Sequence, residues 1–387
     1  MKNYIKRAIE GLLKKVIEQF PVVLVTGPRQ AGKSTLLRRQ FKDYSYVSLD
    51  DGLARTLARK DPSLFLKAYE LPLIIDEIQY VPSLLEQIKI EVDRNRRKMG
   101  RYLLTGSQIF PLMKGVSESL AGRIMILQLY PLSWKELSKP DPKDKQPMMD
   151  QMLRGFFPEF QVNPQLDPRL WHDGYLSTYL ERDLRPIRNI KELGEFQRFM
   201  VLLATRTGQL LNLSAIGREC GISQTTAKDW IEALQLTSVI YLLEPFHRNV
   251  TKRVVKSRKL YFVDTGLLCY LLRIRNKEQL VYSPFVGHIF ENMVIMDKIK
   301  GFAEQGERRP PCYFYRSSNK VEVDLLIDYG AYSDAYEIKC SASPNKNMTS
   351  SLRLLKKDLS IKNAELLTLR EDPVVLGDGV IAKHWSD

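Results

Sequence analysis

The chain has 387 residues, with 59 Lys and Arg against 45 Asp and Glu and a formal net charge of +14. That length allows about two or three domains with cores of their own, and 44% hydrophobic with 27% charged residues excludes a disordered chain. The basic balance favours an anionic partner such as DNA. Cys220, Cys269, Cys312 and Cys340 are too dispersed for a zinc ribbon or a disulfide framework, which fits reduced thiols in a cytoplasm.

No run approaches the ~20 apolar residues of a membrane span, and no signal-peptide core follows the basic start, so no membrane association is expected. Ile5, Ala8, Leu12, Val16 and Phe20 recur at helical spacing and predict an amphipathic helix leading into the first strand. That strand is the apolar run Val22 to Val25, which breaks after Thr26 into G-x-x-x-x-G-K-S and then a helix pattern from Leu36. Gly27 and Gly32 let the backbone turn its N–H groups onto a polyphosphate at a helix N-terminus. Gly27, Pro28, Arg29, Gln30, Ala31, Gly32, Lys33, Ser34 and Thr35 are therefore the expected nucleotide-binding loop. Lys33 would reach the outer phosphates and the Ser34 hydroxyl would complete a magnesium shell.

Tyr46 to Asp51 reads as a second strand, Leu53 to Tyr69 as a helix interrupted by Pro62, and Leu71 to Glu77 as a buried strand ending in two carboxylates. Asp76 would hold magnesium through water, and Glu77 would polarise the attacking water. Leu84 to Arg97 is helical in pattern, and Arg101 to Gln108 is a strand whose Ser107 would stand beside the outermost phosphate as a sensor of hydrolysis. Strands alternating with helices imply a three-layer α/β domain with its site at the carboxyl ends of the strands.

Gly27 to Thr35, Ile74-Ile75-Asp76-Glu77-Ile78-Gln79 and Leu104-Thr105-Gly106-Ser107 resemble a bacterial and archaeal group of AAA+-type ATPases. That group pairs the ATPase core with a C-terminal domain of unknown function. Ser119 to Arg123, Leu129 to Ser133, Gly155 to Glu159 and Tyr179 to Asp183 extend the resemblance over nearly the whole chain. It implies ATP with Mg2+ as cofactors, and Arg123 as an arginine finger reaching a neighbouring subunit if the protein forms a homo-oligomeric ring. Gly155-Phe156-Phe157-Pro158 resembles the motif that follows the nucleotide core in signal-transducing relatives; it also reads as a tight turn.

Three prolines between Lys139 and Pro147 mark a surface connection, and helical segments follow from Met148. Between Glu195 and Phe262 two helices, the Gly221 turn, a third helix capped by Ser223 and a strand from Val239 follow winged-helix order. Gln224, Thr225, Thr226 and Lys228 would lie on the recognition helix, with Arg248, Lys252, Arg253, Lys256, Arg258 and Lys259 crowding the wing. In the last third, Asp324 stands in an alternating strand, and Glu337-Ile338-Lys339 follows in the next. Residues two apart in a strand share a face, so two carboxylates and an ammonium would meet around one spot. The pattern resembles a restriction-endonuclease-like fold, with Glu291 as the extra acid; Glu291, Asp324 and Glu337 would hold magnesium and Lys339 would assist catalysis. A structural salt-bridge cluster is the alternative.

The expected organisation is an ATPase core over 1–147, a helical lid or adaptor over 148–194, a winged-helix module over 195–262 and an endonuclease-like α/β domain over 263–387. The expected function is ATP-driven action on DNA. The alternatives are a nucleotide-gated nuclease and a signalling switch that binds a protein partner.

Overall fold

The computed structural model describes residues 4–106, 119–137, 145–179, 193–247, 257–317, 319 and 321–387. Its first sheet contains β1 (Val22–Thr26), β2 (Ser45–Ser48), β3 (Leu73–Asp76), β4 (Tyr102–Gly106) and β5 (Ile124–Gln128) in the order β2-β3-β4-β1-β5. Every pairing in it is parallel. Parallel strands need helical crossovers, so both faces are covered and β1 is buried along its whole length. Val22 and Leu24 pack into the core shared with α3 (Gly52–Lys60), α4 (Pro62–Lys67) and α5 (Leu84–Arg94). Val23 and Val25 face the opposite core, formed with α1 (Glu10–Ile17) and α2 (Lys33–Gln40). The period of the strand therefore builds the three layers that the sequence predicts.

The amino-terminal helix differs from expectation. It begins only at Glu10 and buries Ile9, Leu13 and Val16, while Ala8 is exposed. The reason is Arg7, which is drawn down beside the phosphate loop and holds the preceding segment out of helical geometry.

Beyond residue 145 lie α6 (Lys145–Arg154), α7 (Pro158–Val162), α8 (Pro168–Tyr179), α9 (Leu193–Thr205), α10 (Leu213–Cys220) and α11 (Gln224–Leu236). Asn212 caps α10 by accepting from Ala215 N at 3.0 Å, Gly221 ends it with φ +72°, and Ser223 caps α11 by accepting from Thr226 N at 3.0 Å. The antiparallel hairpin of β6 (Ile240–Pro245) and β7 (Lys259–Phe262) follows.

After it come α12 (Thr265–Leu271), α13 (Lys277–Tyr282), α14 (Val286–Glu304), β8 (Cys312–Arg316), β9 (Glu322–Asp328), β10 (Ser333–Ile338), α15 (Ser350–Asp358), β11 (Ile361–Thr368), β12 (Val374–Gly377) and β13 (Val380–His384). These strands and the hairpin form one mixed sheet, β12-β13-β11-β10-β9-β8-β6-β7, because β6 pairs with β8 at Glu244 and Pro245. One apolar core runs from Leu132 to Trp385. The boundaries expected at 194/195 and 262/263 fall inside that core.

Two hydrogen bonds to α14 tie the end of the first domain to this body, and a shared carboxylate closes a turn within it. On α14, Asp297 accepts from Trp134 N at 2.7 Å and Lys300 donates to Leu132 O at 2.9 Å. The Asp264 carboxylate accepts from Phe156 N at 2.6 Å and from Leu267 N at 3.0 Å, so one side chain caps α12 and grips the turn leading to Pro158. Gly155 serves that turn with φ +88°, and a Cβ there would lie 2.3 Å from Asp264 Oδ1. Asp264→Ala removes a helix cap and orphans a buried N–H; it is expected to cost about 2–4 kcal/mol in urea unfolding. A loss below about 0.5 kcal/mol would show that this contact is incidental.

Candidate nucleotide site and carboxylate cluster

The loop between β1 and α2 is fixed by backbone demands. Gly27 has φ +149° and a Cβ would fall 1.9 Å from Leu129 O, so only glycine permits the chain just after β5 to approach this closely. Gly32 takes φ +92° as the cap residue of α2, which starts at Lys33. Lys33 is 5% exposed, and its Nζ donates to Gly27 O at 3.1 Å and Pro28 O at 2.9 Å, which places the ammonium inside the loop.

Across the end of the sheet, Ser34 Oγ donates to Asp76 Oδ1 at 2.6 Å. Two groups that the motif reading did not single out share this carboxylate: Tyr46 OH donates to Asp76 Oδ2 at 2.9 Å, and Thr105 Oγ1 donates to Asp76 Oδ1. Asp76 thus collects hydroxyls from α2, β2 and β4. Burial, with the Asp76 charge beside it, pushes the Tyr46 phenol up to about 12, so it remains a donor. Glu77 leaves β3 in a left-handed turn at φ +59°, its N–H donating to Thr105 Oγ1 at 3.1 Å and its carboxylate accepting from Gln79. Ser107, the expected sensor, lies outside the described residues, as do Arg248, Lys252, Arg253 and Lys256 of the expected wing.

Lys33, Ser34, Thr35, Arg29, Gln30 and Glu77 line one cleft of about 590 Å3, closed on its other side by Tyr4, Ile5, Pro158, Val162 and Tyr175. Arg7 also lines this cleft and braces the loop. Its guanidinium donates to Ala31 O at 2.8 Å, Tyr130 O at 2.8 Å and Glu136 Oε1 at 3.0 Å, and both side chains of that ion pair are buried. No local signal marks this pair, whose members stand 129 residues apart. Arg123 lies at the opposite end of the sheet from the loop, since Val22 N at the start of β1 donates to Arg123 O at 3.3 Å. Its guanidinium donates to both Asp93 oxygens, at 2.7 and 3.2 Å.

The carboxyl-terminal set also converges. Asp324 on β9 accepts from Ile338 N at 2.9 Å; Lys339 Nζ lies 2.6 Å from Glu337 Oε1 and 3.6 Å from Asp324 Oδ2. Glu291 on α14 accepts from Tyr261 OH at 2.6 Å. Burial, then the Asp324 charge, raises both Glu291 and Glu337 above the usual carboxylate range. The geometry departs from expectation in one respect. Among the described residues no three His, Cys, Asp or Glu side chains are grouped to hold a metal ion, and Glu291, Asp324 and Glu337 meet in a cluster of ion pairs. The physical reason is Lys259, which the sequence reading assigned to the wing and whose Nζ stands 3.7 Å from Glu291 and 3.5 Å from Asp324.

Residues 19–138 match the model of an AAA domain, residues 146–278 a domain of unknown function (DUF8612) and residues 286–386 a domain of unknown function (DUF4143). Over 380 residues the chain is 31% identical to the uncharacterized protein Rv2008c of Mycobacterium tuberculosis, covering 97% of this chain and 83% of that protein. The chain belongs to the family of Rv2008c. A more distant relative is the uncharacterized protein MJ1544 of Methanocaldococcus jannaschii, 23% identical over 89% of this chain and 81% of its own length.

Among solved structures, the Walker-type ATPase PABY2304 of Pyrococcus abyssi aligns over 70% of this chain and 96% of its own, at 15% identity and a TM-score of 0.47. The RuvB Holliday junction branch migration motor of Thermotoga maritima aligns over 60% and 88%, at 19% identity and a TM-score of 0.31. These overlaps are too loose to carry an argument about this chain. The AAA-domain match and the loop identify an AAA-type P-loop ATPase domain at the front of this family's chain. No helix among the described residues is long and apolar enough to cross a membrane.

Proposed function

We propose that this chain binds and hydrolyses ATP, and that hydrolysis drives a rearrangement of its carboxyl-terminal body on DNA. The observation that carries the first part is the Ser34–Asp76 hydrogen bond of 2.6 Å, with Glu77 next in sequence and lining the same cleft as Lys33. A hydroxyl and a carboxylate so close are hard oxygen donors that fit magnesium, which would neutralise phosphate charge when bound with ATP. Lys33 and the loop N–H groups hold the outer phosphates, Asp76 and Ser34 hold the metal, and Glu77 accepts a proton from the attacking water. Tyr4, Ile5, Pro158 and Val162 offer a mostly apolar flank for the base. Arg123 lies at the far end of the sheet, paired with both Asp93 oxygens, so a finger role would require it to reach the loop of a neighbouring chain in a homo-oligomer.

The DNA reading rests on the three-helix unit. Helices α9, α10 and α11 followed by the β6–β7 hairpin have winged-helix order, and Gln224, Thr225 and Lys228 are exposed at the start of α11. The test is duplex binding as a function of salt. Replacing Lys252, Arg253 and Lys256 together by alanine is expected to weaken binding and to flatten the log–log salt slope by up to about 2.7, at about 0.9 per lost phosphate contact. No duplex, branched or single-stranded DNA bound by the unaltered protein would defeat the DNA reading and leave the protein-binding switch.

A further inference from the structure

The carboxylate cluster already contains a cation of its own. Lys259 begins β7, is 2% exposed, and directs its Nζ to Glu322 Oε1 at 2.7 Å, Asp324 Oδ1 at 3.5 Å and Glu291 Oε1 at 3.7 Å. Its strand is held on both edges: β6 pairs with it on one side, and on the other Leu211 N donates to Arg258 O at 2.7 Å and Gly208 N to Leu260 O at 2.7 Å. Asn292, beside Glu291, clamps the same strand to α14 by exchanging hydrogen bonds with the Phe262 backbone at 2.7 and 2.8 Å. The ammonium therefore cannot swing away as a surface lysine does. Burial alone would lower its proton affinity, but the Glu291, Asp324 and Glu322 charges outweigh that, so it stays protonated.

Asp324 and Glu291 Oε1 are also engaged, while the buried Glu337 Oε2 has no hydrogen-bond partner among the described residues. Asp324 is shared between two ammonium groups and the Ile338 N–H, and Glu291 Oε1 between Lys259 and the Tyr261 hydroxyl. A divalent ion requires oxygen ligands at about 2.0–2.6 Å with no positive neighbour in the first shell. Here an ammonium stands between the two carboxylates such an ion would bridge.

We propose that Lys259 is the permanent cation of this cluster, occupying the place of a divalent metal between Glu291 and Asp324, so that the endonuclease-like site binds no metal and performs no metal-assisted phosphodiester hydrolysis. The cluster acts instead as a buried ion-pair lock joining the β6–β7 hairpin to α14, β9 and β10. Removing the ammonium leaves a latent divalent-cation site.

The experiment is Mn2+ titration of the nucleotide-free full-length protein, read by electron paramagnetic resonance, for the unaltered chain, Asp324→Asn, Lys259→Met and Lys259→Met with Asp324→Asn. The unaltered chain is expected to show no Mn2+ site that Asp324→Asn removes. Lys259→Met is expected to gain one site per chain, with affinity raised at least about tenfold over the unaltered chain, and the double variant to lose it. An Asp324-dependent Mn2+ site in the unaltered chain, or a folded Lys259→Met protein that gains none, overturns the proposal. If Lys259→Met does not fold, the unaltered chain against Asp324→Asn decides it alone. Mn2+-dependent plasmid nicking by the unaltered chain, abolished in Asp324→Asn, is the second overturning result.

Discussion

The Arg7→Ala protein is expected to be about 3–5 kcal/mol less stable than the unaltered chain, because removing one partner of a buried ion pair strands the other charge away from water. Arg7 and Glu136 are 5% and 8% exposed, and Glu136 keeps only its bonds from Ala8 N at 2.7 Å and Ser133 N at 2.9 Å once the guanidinium is gone. The carbonyls of Ala31 and Tyr130 lose their donor at the same time. Since Ala31 belongs to the phosphate loop, nucleotide affinity should fall together with stability.

Urea unfolding measures the first effect and nucleotide titration the second. Arg7→Ala combined with Glu136→Gln should recover part of the loss, as the stranded charge is then removed. A loss below about 1 kcal/mol, the worth of an exposed pair, would mean that Arg7 does not brace the loop.

Glu77→Gln is expected to slow ATP hydrolysis by about 10^2–10^4-fold while leaving ATP binding nearly unchanged, because glutamine keeps the shape and an acceptor but cannot take a proton from water. The main chain of Glu77 is fixed independently of its charge, through the Thr105 hydroxyl at 3.1 Å and the left-handed turn at φ +59°. A catalytic loss with intact binding and an unchanged unfolding midpoint therefore isolates the chemical role. A decrease under about threefold would remove Glu77 from the mechanism.

What was legible in the sequence follows from how local each constraint is. Gly27, Gly32, Lys33 and Ser34 are readable because a loop cradling phosphate demands those residue types within one turn of chain. The cap at Ser223 is readable for the same reason, since it serves an N–H three residues on. Alternation, which the sequence displays directly, sets Glu337 and Lys339 on one side, and the antiparallel pairing of β9 with β10 brings Asp324 to them.

Tyr46 and Thr105 meet Asp76 only because parallel pairing lays β2 and β4 on either side of β3, and that order is not written in any one segment. Arg7 was hidden by a helical pattern that in fact begins only after it, at Glu10. Lys259 read as wing charge because solvated lysines are the rule; its burial depends on β6 joining β8 across about seventy residues of chain, a tertiary event with no local signature.

Steady-state ATP hydrolysis with magnesium by the purified full-length chain, with Lys33→Ala as the blank, tests the central claim most directly. Lys33 Nζ is the buried ammonium inside the loop, so the alanine variant should lose both binding and turnover while the rest of the fold stays intact. Phosphate release by the unaltered chain well above that blank is the predicted result. Equal rates for the two proteins would contradict the assignment of this site as an ATP-hydrolysing centre.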